Sequence, residues 1–225
     1  MISIVVLTLN RLDRLTSCIS ALESRTSTPY EIIVVNNAST DGTNDFLKSK
    51  ESSKFKVITL DQNYGVTARN HGFEIAKGKF IAQVDDDVKV LAGWDRKCLD
   101  IFSGDSQIGM IGQQGGLIKT WMDIHSHVGQ TRGGYVDYLT GFCMIMRNVG
   151  LKYDLAFAPF WHEELDLSFQ FKAEGYRLFQ TNGLCLHYSA RSGPVDWDIH
   201  NRNLAYANAK WNGRIDELNL EGLKI

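Results

Sequence analysis

Ile2-Ser3-Ile4-Val5-Val6-Leu7-Thr8-Leu9 is an apolar run with almost no polar alternation, the pattern of a strand buried on both faces. Residues 12–24 then carry Leu15, Ile19 and Leu22 at helical spacing, and Ile32-Ile33-Val34-Val35 returns to the first pattern. Two more runs, Val57-Ile58-Thr59-Leu60 and Phe80-Ile81-Ala82-Gln83-Val84, bracket a stretch whose Ala68, Phe73, Ile75 and Ala76 predict a helix ending at Gly78. Strands alternating with helices predict an α/β fold with a mostly parallel central sheet, because crossovers between parallel strands lay their helices on the sheet faces. Ligands of such sheets bind beyond the carboxyl ends of the strands.

After about residue 105 the rhythm loosens into Gly112-Gln113-Gln114-Gly115-Gly116 and Gly133-Gly134-Tyr135, which read as hairpins and loops. Residues 138–146 read as another buried strand. Residues 163–174 read as an amphipathic helix with Leu167, Phe169 and Phe171, and residues 199–211 as a weaker one. With 225 residues, no linker and no internal repeat, one domain is expected, with a nucleotide-type half over 1–104 and a smaller acceptor-type half over 105–225.

The composition, 44% hydrophobic with 22% charged residues, supplies enough apolar surface for a core and excludes a disordered or fibrous chain. A formal charge of -2 provides no overall positive field to gather nucleic acid, so an anionic ligand has to be held locally. Cys18, Cys98, Cys143 and Cys185 show no paired short spacing. That argues against a zinc ribbon or a disulfide-stapled scaffold and for a reducing, cytoplasmic setting. Residues 2–9 are far too short to span a membrane and carry no basic leader, so a buried strand is expected there.

The sharpest chemical feature is Asp85-Asp86-Asp87, directly after the strand ending at Val84. In an extended stretch Asp85 and Asp87 face one way and Asp86 the other. Like charges about 5 Å apart repel by roughly 3 kcal/mol at an effective dielectric of about 20, so the cluster needs a compensating partner. A divalent cation fits that need, and oxygen ligands favour Mg2+ or Mn2+, which take phosphate oxygens as further ligands. The alternative is a solvated acidic turn capping the next helix. Three other polar loops should meet the triplet at the same sheet edge: Thr8-Leu9-Asn10-Arg11, Asn36-Asn37-Ala38-Ser39-Thr40-Asp41-Gly42-Thr43, and Asn63-Tyr64-Gly65 with Arg69-Asn70. Within the second loop, Ser39 to Asp41 offer N-cap chemistry for a helix carrying Phe46 and Leu47, and that helix's free amides suit an anion.

Trp161-His162-Glu163-Glu164-Leu165-Asp166 opens a helix with acids in its first turn, which the helix dipole alone favours by about 0.3–1 kcal/mol. A carboxylate beside Trp161 in a closed cleft would also be desolvated, with the raised pKa that suits a general base. His187, after the apolar Leu184-Cys185-Leu186, is positioned either as a metal or phosphate ligand or as a structural histidine.

These residues, in this order, resemble family 2 glycosyltransferases of the GT-A fold, in particular rhamnosyltransferase-like members that build bacterial surface polysaccharides. The match runs through Val5-Val6-Leu7-Thr8-Leu9-Asn10-Arg11, Val34 to Thr43, and Asn63-Tyr64-Gly65 through Ala68-Arg69-Asn70-His71-Gly72. Asp85-Asp86-Asp87 is similar to the family's DxD element, Thr140 to Arg147 to its acceptor-side strand, and Glu163 to Gly175 to its "ED…DL…G" helix. The resemblance implies transfer of a sugar, with inversion, from a nucleotide-diphosphate sugar to a hydroxyl of a saccharide or lipid-linked saccharide. By matching positions, Thr8, Asn10, Arg11, Asn37, Asp41 and Arg69 would line the nucleoside, with Asp85 and Asp86 in the donor site. Asp87 would be the principal ligand of Mn2+ or Mg2+, helped by Asp85 and His187, and Glu164 would be the base with Glu163 as its substitute. UDP or dTDP donors follow by the same analogy. Asn36-Asn37 stand where many relatives carry a carboxylate that hydrogen-bonds uracil, which leaves the nucleobase open.

Trp121, His125, His127, Tyr135, Trp161 and Trp197 are candidates for stacking on an acceptor sugar, the alternative being core packing. Trp197, Ile199, Leu204, Tyr206 and Trp211, beside Arg202, Lys210 and Arg214, suggest a peripheral membrane contact on the cytosolic face, again against core packing. A sugar-phosphate nucleotidyltransferase would need a Gly-rich basic loop after the first strand, which Thr8-Leu9-Asn10-Arg11-Leu12 is not. A dinucleotide-dependent dehydrogenase would need G-x-G-x-x-G, which is absent. The rival from another class is a catalytically inactive carbohydrate-binding or scaffolding protein that kept the fold.

Overall fold

The computed structural model describes residues 1–118, 133–188 and 196–222. Strand β1 (Ile2–Thr8) leads through α1 (Leu12–Arg25) to β2 (Tyr30–Asn36), and α2 (Thr43–Lys50) leads to β3 (Phe55–Thr59). Helix α3 (Arg69–Ile75), preceded by a 3-10 turn at Gly65–Ala68, precedes β4 (Phe80–Asp85), β5 (Val88–Val90) and α4 (Trp94–Gly104). The second half contributes β6 (Ile108–Gly112), β7 (Gly115–Gly116), β8 (Gly134–Val136), β9 (Tyr138–Leu139), β10 (Cys143–Arg147), α5 (Glu163–Ala173), β11 (Arg177–Gln180), β12 (Cys185–His187) and α6 (Trp197–Trp211).

Eight strands form one sheet in the order β3-β2-β1-β4-β10-β6-β11-β8, and only β10 and β8 run against the rest. The expected mostly parallel sheet is the fold, and its strands bury both faces for the reason the apolar runs suggested. Ile2, Ile4 and Val6, with Ile32, Val34, Ala82 and Val84, pack on the α1 and α4 side, while Val5, Ile33, Val35 and Ile81 pack on the α3 and α5 side. Register aligns the ends that matter, because Thr8 pairs with Asn36 and Leu7 with Asp85. The antiparallel β10 pairs its first residue, Cys143, with Val84, which brings Gly141 and Phe142 to the same edge.

Four local expectations are corrected. The third run is β3 over Phe55–Thr59, so Leu60 lies past its end. Residues 138–146 are two strands rather than one, because Thr140, Gly141 and Phe142 turn the chain from β9, which pairs with β7, into the main sheet. Helix α5 is buried on more than one side. Leu167 and Phe171 join the sheet-facing cluster, while Leu165 and Phe169 pack with Tyr138, Trp211 and Leu218, since residues two apart point to opposite sides of a helix. All four cysteines are free and buried.

The fourth correction concerns Gly78. Helix α3 stops at Ile75 with Ala76 already extended, so Gly78 is no helix cap. A Cβ there would lie 2.6 Å from the Ser3 backbone nitrogen and 2.7 Å from the Phe80 carbonyl oxygen, inside the β1–β4 contact. The glycine is required by this close backbone approach. Gly78→Ala is therefore expected to destabilise the protein by about 1–3 kcal/mol through overpacking. Urea midpoints measure the change, and a midpoint equal to wild type would show that the strands separate freely there.

Candidate active site

Each loop at the carboxyl edge of the sheet is tied to its neighbour by side chains. Asn10, with φ 54, takes the left-handed conformation that asparagine tolerates, and its Oδ1 accepts the Thr40 N–H at 2.7 Å. Asp41 accepts the Leu12 N–H at 3.1 Å and the Thr43 hydroxyl at 2.5 Å, so one carboxylate serves the starts of α1 and α2. These bonds hold its pKa below the ordinary aspartate value, the Thr43 bond most of all. Ser39 does not cap α2. Gly42, with φ 82, occupies the cap position, and the Ser39 hydroxyl accepts the Asn10 N–H at 2.9 Å instead. Asn37 donates to Asn63 Oδ1 at 2.7 Å and to the Gly65 carbonyl at 3.2 Å, and accepts the Tyr64 N–H at 2.9 Å. Gly65, with φ +67, sits so close to the Pro159 carbonyl that a Cβ would lie 2.2 Å from its oxygen.

These ties bound a cleft of ≈ 400 Å³, whose wall includes Thr8, Arg11, Asn37, Asn63, Arg69, Asp85, Asp86 and Phe160. The four polar loops therefore meet, as anticipated. Asn10 and Asp41 are outside this lining and act as cross-links between loops.

The acidic triplet is not extended. Asp85 ends β4, and Asp86 and Asp87 form a turn into β5. Asp86 is buried, accepting from the Thr8 hydroxyl at 2.8 Å and Arg11 Nη1 at 3.1 Å. Asp85 is paired with the Arg69 guanidinium. Asp87 Oδ2 lies 3.2 Å from Arg14 Nη1 and 3.6 Å from Arg11 Nη1. The compensating charge, expected to be a cation alone, is thus supplied in part by three arginines. Burial nevertheless raises the pKa of Asp85 and Asp86 above the usual carboxylate range, against the pull of Arg69 on the first and of Thr8 and Arg11 on the second.

One corner of the triplet keeps free ligand capacity. Asp87 Oδ1 is buried without a hydrogen bond and lies 3.2 Å from His187 Nε2. Antiparallel pairing of β12 with β5 sets His187 opposite Val88, and its ring stacks on Phe142 at 4.4 Å and 10°. One ligand atom each from Asp85, Asp87 and His187 falls within 4.8 Å of the others. Two carboxylates and an imidazole so arranged suit a hard or borderline divalent ion.

Glu163 and Glu164 begin α5 directly after two left-handed residues, Trp161 (φ 82) and His162 (φ 69). Glu163 is buried, with Oε2 lacking a hydrogen bond, and burial together with the adjoining Glu164 holds its pKa well above the glutamate range. Glu164 is half-buried and borders Gly141 and Tyr138, whose phenol burial and the Glu164 charge push up to about 12. Neither acid lines the cleft itself. Arg69 connects them to it, since burial alone would lower its pKa but Asp85, then Tyr153 and Glu163, raise it. Tyr153 donates to Gln83 Oε1 at 2.6 Å within the same buried group.

Sequence reasoning missed Arg14 and Tyr153. Arg14 lies three positions after Arg11, the spacing that puts two side chains on one helix face, so that signal was available; nothing local marked Tyr153. Tyr135 is no acceptor platform, because it lies on the far edge strand with its hydroxyl on Asp105 at 2.8 Å and Arg177 over its ring. Trp121, His125 and His127 lie outside the described residues.

Residues 3–153 match the family model described as "Glycosyl transferase family 2". The chain belongs to this family. This family 2 glycosyltransferase is 32% identical over 90 residues to the UDP-Glc:alpha-D-GlcNAc-diphosphoundecaprenol beta-1,3-glucosyltransferase WfaP of Escherichia coli, covering 39% of the chain and 35% of WfaP. Across several curated relatives it spans 26% to 36% of their length. The crystal structure of GalNAc-T7 with UDP, GalNAc and Mn2+ superposes with a TM-score of 0.76 at 16% identity, covering 96% of this chain and 49% of that one. The mannosyltransferase PcManGT from Pyrobaculum calidifontis, in complex with GDP-Man and Mn2+, gives a TM-score of 0.68 at 16% identity, covering 93% and 63%. The fold is GT-A.

The Glu163–Glu164 pair has a measurable signature. Glu163 binds its proton more tightly in the fold than in the unfolded chain, so the stability it contributes is complete below the ordinary glutamate pKa and is lost as pH rises through the raised value. Glutamine does not titrate. Glu163→Gln should therefore gain stability relative to wild type as pH rises from about 5 to about 8. Urea midpoints at both pH values read this difference, and a pH-independent one would contradict the raised pKa.

Proposed function

We propose that this chain is an inverting glycosyltransferase acting as one domain, with the donor bound by residues 1–104 and the acceptor by residues 105–225. Sheet continuity supports the single unit, since β10 of the second half lies between β4 and β6. The observation that carries the reading is the meeting of the Asp85, Asp87 and His187 ligand atoms with a cleft lined by Thr8, Arg11, Asn37 and Arg69. Arg69 Nε is buried and has no hydrogen-bond partner, a donor suited to an oxygen of a bound nucleoside.

In this reading a nucleotide-diphosphate sugar, of UDP or dTDP type, occupies the cleft. Mn2+ or Mg2+ held by Asp85, Asp87 and His187 supplies charge neutralisation for the departing diphosphate. Glu164 takes the proton of the acceptor hydroxyl as its oxygen bonds to the anomeric carbon. The bond from that carbon to the diphosphate oxygen breaks on the opposite face, and the electron pair leaves with the nucleotide. One displacement inverts the centre, so no covalent nucleophile is needed. Burial and the adjoining Glu164 hold the Glu163 pKa well above the glutamate range, which disfavours a second negative charge beside Glu164.

The acceptor is a saccharide or lipid-linked saccharide, the latter supported by the diphosphoundecaprenol substrate in the name of WfaP. Among the described residues no helix is long and apolar enough to cross a membrane. A cytoplasmic protein with peripheral contact at the cytosolic face is the reading that fits a lipid-linked acceptor. Trp211 takes no part in such contact, being buried on Asp166 and Phe169, whereas Trp197 and Tyr206 are exposed.

Thermal shift against a panel of nucleotide sugars, with and without Mn2+, identifies the donor, because ligand binding to the native state raises Tm. Asp87→Ala is expected to abolish the Mn2+-dependent shift. Glu164→Gln should keep the shift yet slow transfer by about 10²–10⁴-fold, the usual contribution of a general base. Donor binding without release of nucleoside diphosphate by the wild type would favour the inactive scaffold.

A further inference from the structure

Polar side chains along α6 converge on a single segment, residues 154–166, which joins the floor of the cleft to the acid pair. Asn203 is fully buried, and its Nδ2 lies 2.8 Å from the Phe157 carbonyl oxygen, 2.8 Å from that of Phe160 and 3.0 Å from that of Trp161. Its amide orientation is fixed, because Arg202 Nε, which can only donate, reaches Asn203 Oδ1 at 3.0 Å. Arg202 Nη2 also donates to the Ala158 carbonyl at 2.6 Å. One turn further along, the Tyr206 hydroxyl and Lys210 Nζ bind Asp154 at 2.9 Å and 2.8 Å. Lys210 and Trp211 Nε1 bind Asp166 at 2.9 Å and 2.7 Å.

The segment needs such support. Trp161 and His162 both hold positive φ, a conformation that disfavours bulky side chains and persists only where the surroundings impose it. No side-chain cap steadies the start of α5. Three carbonyls of the turn face one buried carboxamide, so the restraint comes from another helix. Two consequences sit at either end of the turn. Phe160 lines the cleft, and Pro159 accepts the Val66 N–H at 2.7 Å, while Glu163 and Glu164 follow immediately.

We propose that α6 is a clasp for this turn and that Asn203 is a positioning residue, fixing where the acid pair stands relative to the bound donor. The inference rests on the glycosyltransferase reading for its kinetic consequence, and on geometry alone for the restraint. Asn203 touches neither substrate nor reacting atoms; it acts through the Trp161–His162 backbone. Misplacing a catalytic group by about 1 Å slows a reaction by up to about 10²-fold without weakening binding elsewhere.

Asn203→Leu, which keeps the branching of the side chain and removes its donors and acceptor, tests the clasp. The probes are UDP with Mn2+, or whichever nucleotide the donor panel selects. The expected result has three parts: amide hydrogen exchange accelerated within residues 157–166 and not in β1, kcat lowered at least about tenfold, and nucleotide affinity within about twofold of wild type. Arg202→Ala, which removes the bonds to Asn203 Oδ1 and to the Ala158 carbonyl but leaves the Asn203 donors in place, should give the same pattern with a smaller fall in kcat, and it decides the matter if Asn203→Leu does not fold. Unchanged exchange in a folded variant, unchanged kcat, or kcat and nucleotide affinity falling together would each overturn the clasp. If the wild type turns over no nucleotide sugar, the glycosyltransferase reading fails, and the exchange result alone upholds or overturns the restraint.

Discussion

Three consecutive carboxylates at the end of a strand whose neighbours are apolar on both faces set the terms for the rest of this structure. Val84 is fully buried, and the chain turns immediately after Asp85. Burial opposes the charge of Asp85 and Asp86, and each aspartate also opposes the others. The fold answers with cations from two helix starts, Arg11 and Arg14 at the head of α1 and Arg69 at the head of α3, and with the Thr8 hydroxyl. The loops are shaped by this requirement. Arg11 can reach Asp86 because Asn10 turns left-handed and Asp41 fixes the Leu12 amide. Arg69 can reach Asp85 because Gly65 lets the chain press against Pro159 before α3 begins. The Asp87 oxygen facing His187 is buried without a hydrogen bond, and that corner is where a further cation has ligands waiting.

The first half of the chain was legible because its information is local. Each of the first four strands is a continuous apolar run, and period-two splitting of those runs onto two covered faces is what the structure contains. A parallel sheet then puts every loop after a strand at one edge, so Thr8, Arg11, Asn37, Arg69 and Asp85 needed no long-range contact to be placed together. One misreading on this side came from a glycine. Gly78 resembled a helix stop, but its meaning lies in the distance between β1 and β4, which no window of neighbouring residues encodes.

The acceptor side was read less well for a physical reason. Its strands mix antiparallel and parallel pairings and run out of chain order, with β10 inserted between β4 and β6, so that Phe142 meets His187 and Tyr153 meets Gln83 through contacts of 45 and 70 residues in separation. Helix α5 lacks a polar face because it is covered by the sheet on one side and by Trp211 and Leu218 on another. Residues 199–211 read as a weaker helix, whose aromatics and basic residues suggested either a membrane contact or core packing. In the fold, several of the same polar residues, Arg202, Asn203, Tyr206 and Lys210, point at carbonyls and carboxylates of the segment ahead of α5. Side chains that bind backbone carbonyls leave no periodic trace in sequence, which is why Asn203 was invisible.

Arg69 is where the two sides cease to be independent. Its guanidinium is paired with Asp85 in the cleft, and the charge of Glu163 and the phenol of Tyr153 also favour its protonated form. The turn that carries Glu163 is in turn held from α6, far along the chain. A donor cleft assembled from local signals and an acid pair assembled from distant ones are therefore coupled twice, electrostatically through Arg69 and mechanically through Pro159 against Gly65. Such coupling ties acids that stand outside the cleft lining to the residues that form it. It also explains why the early strands alone, although they encode the donor loops, leave the orientation of the acid pair to residues more than a hundred positions downstream.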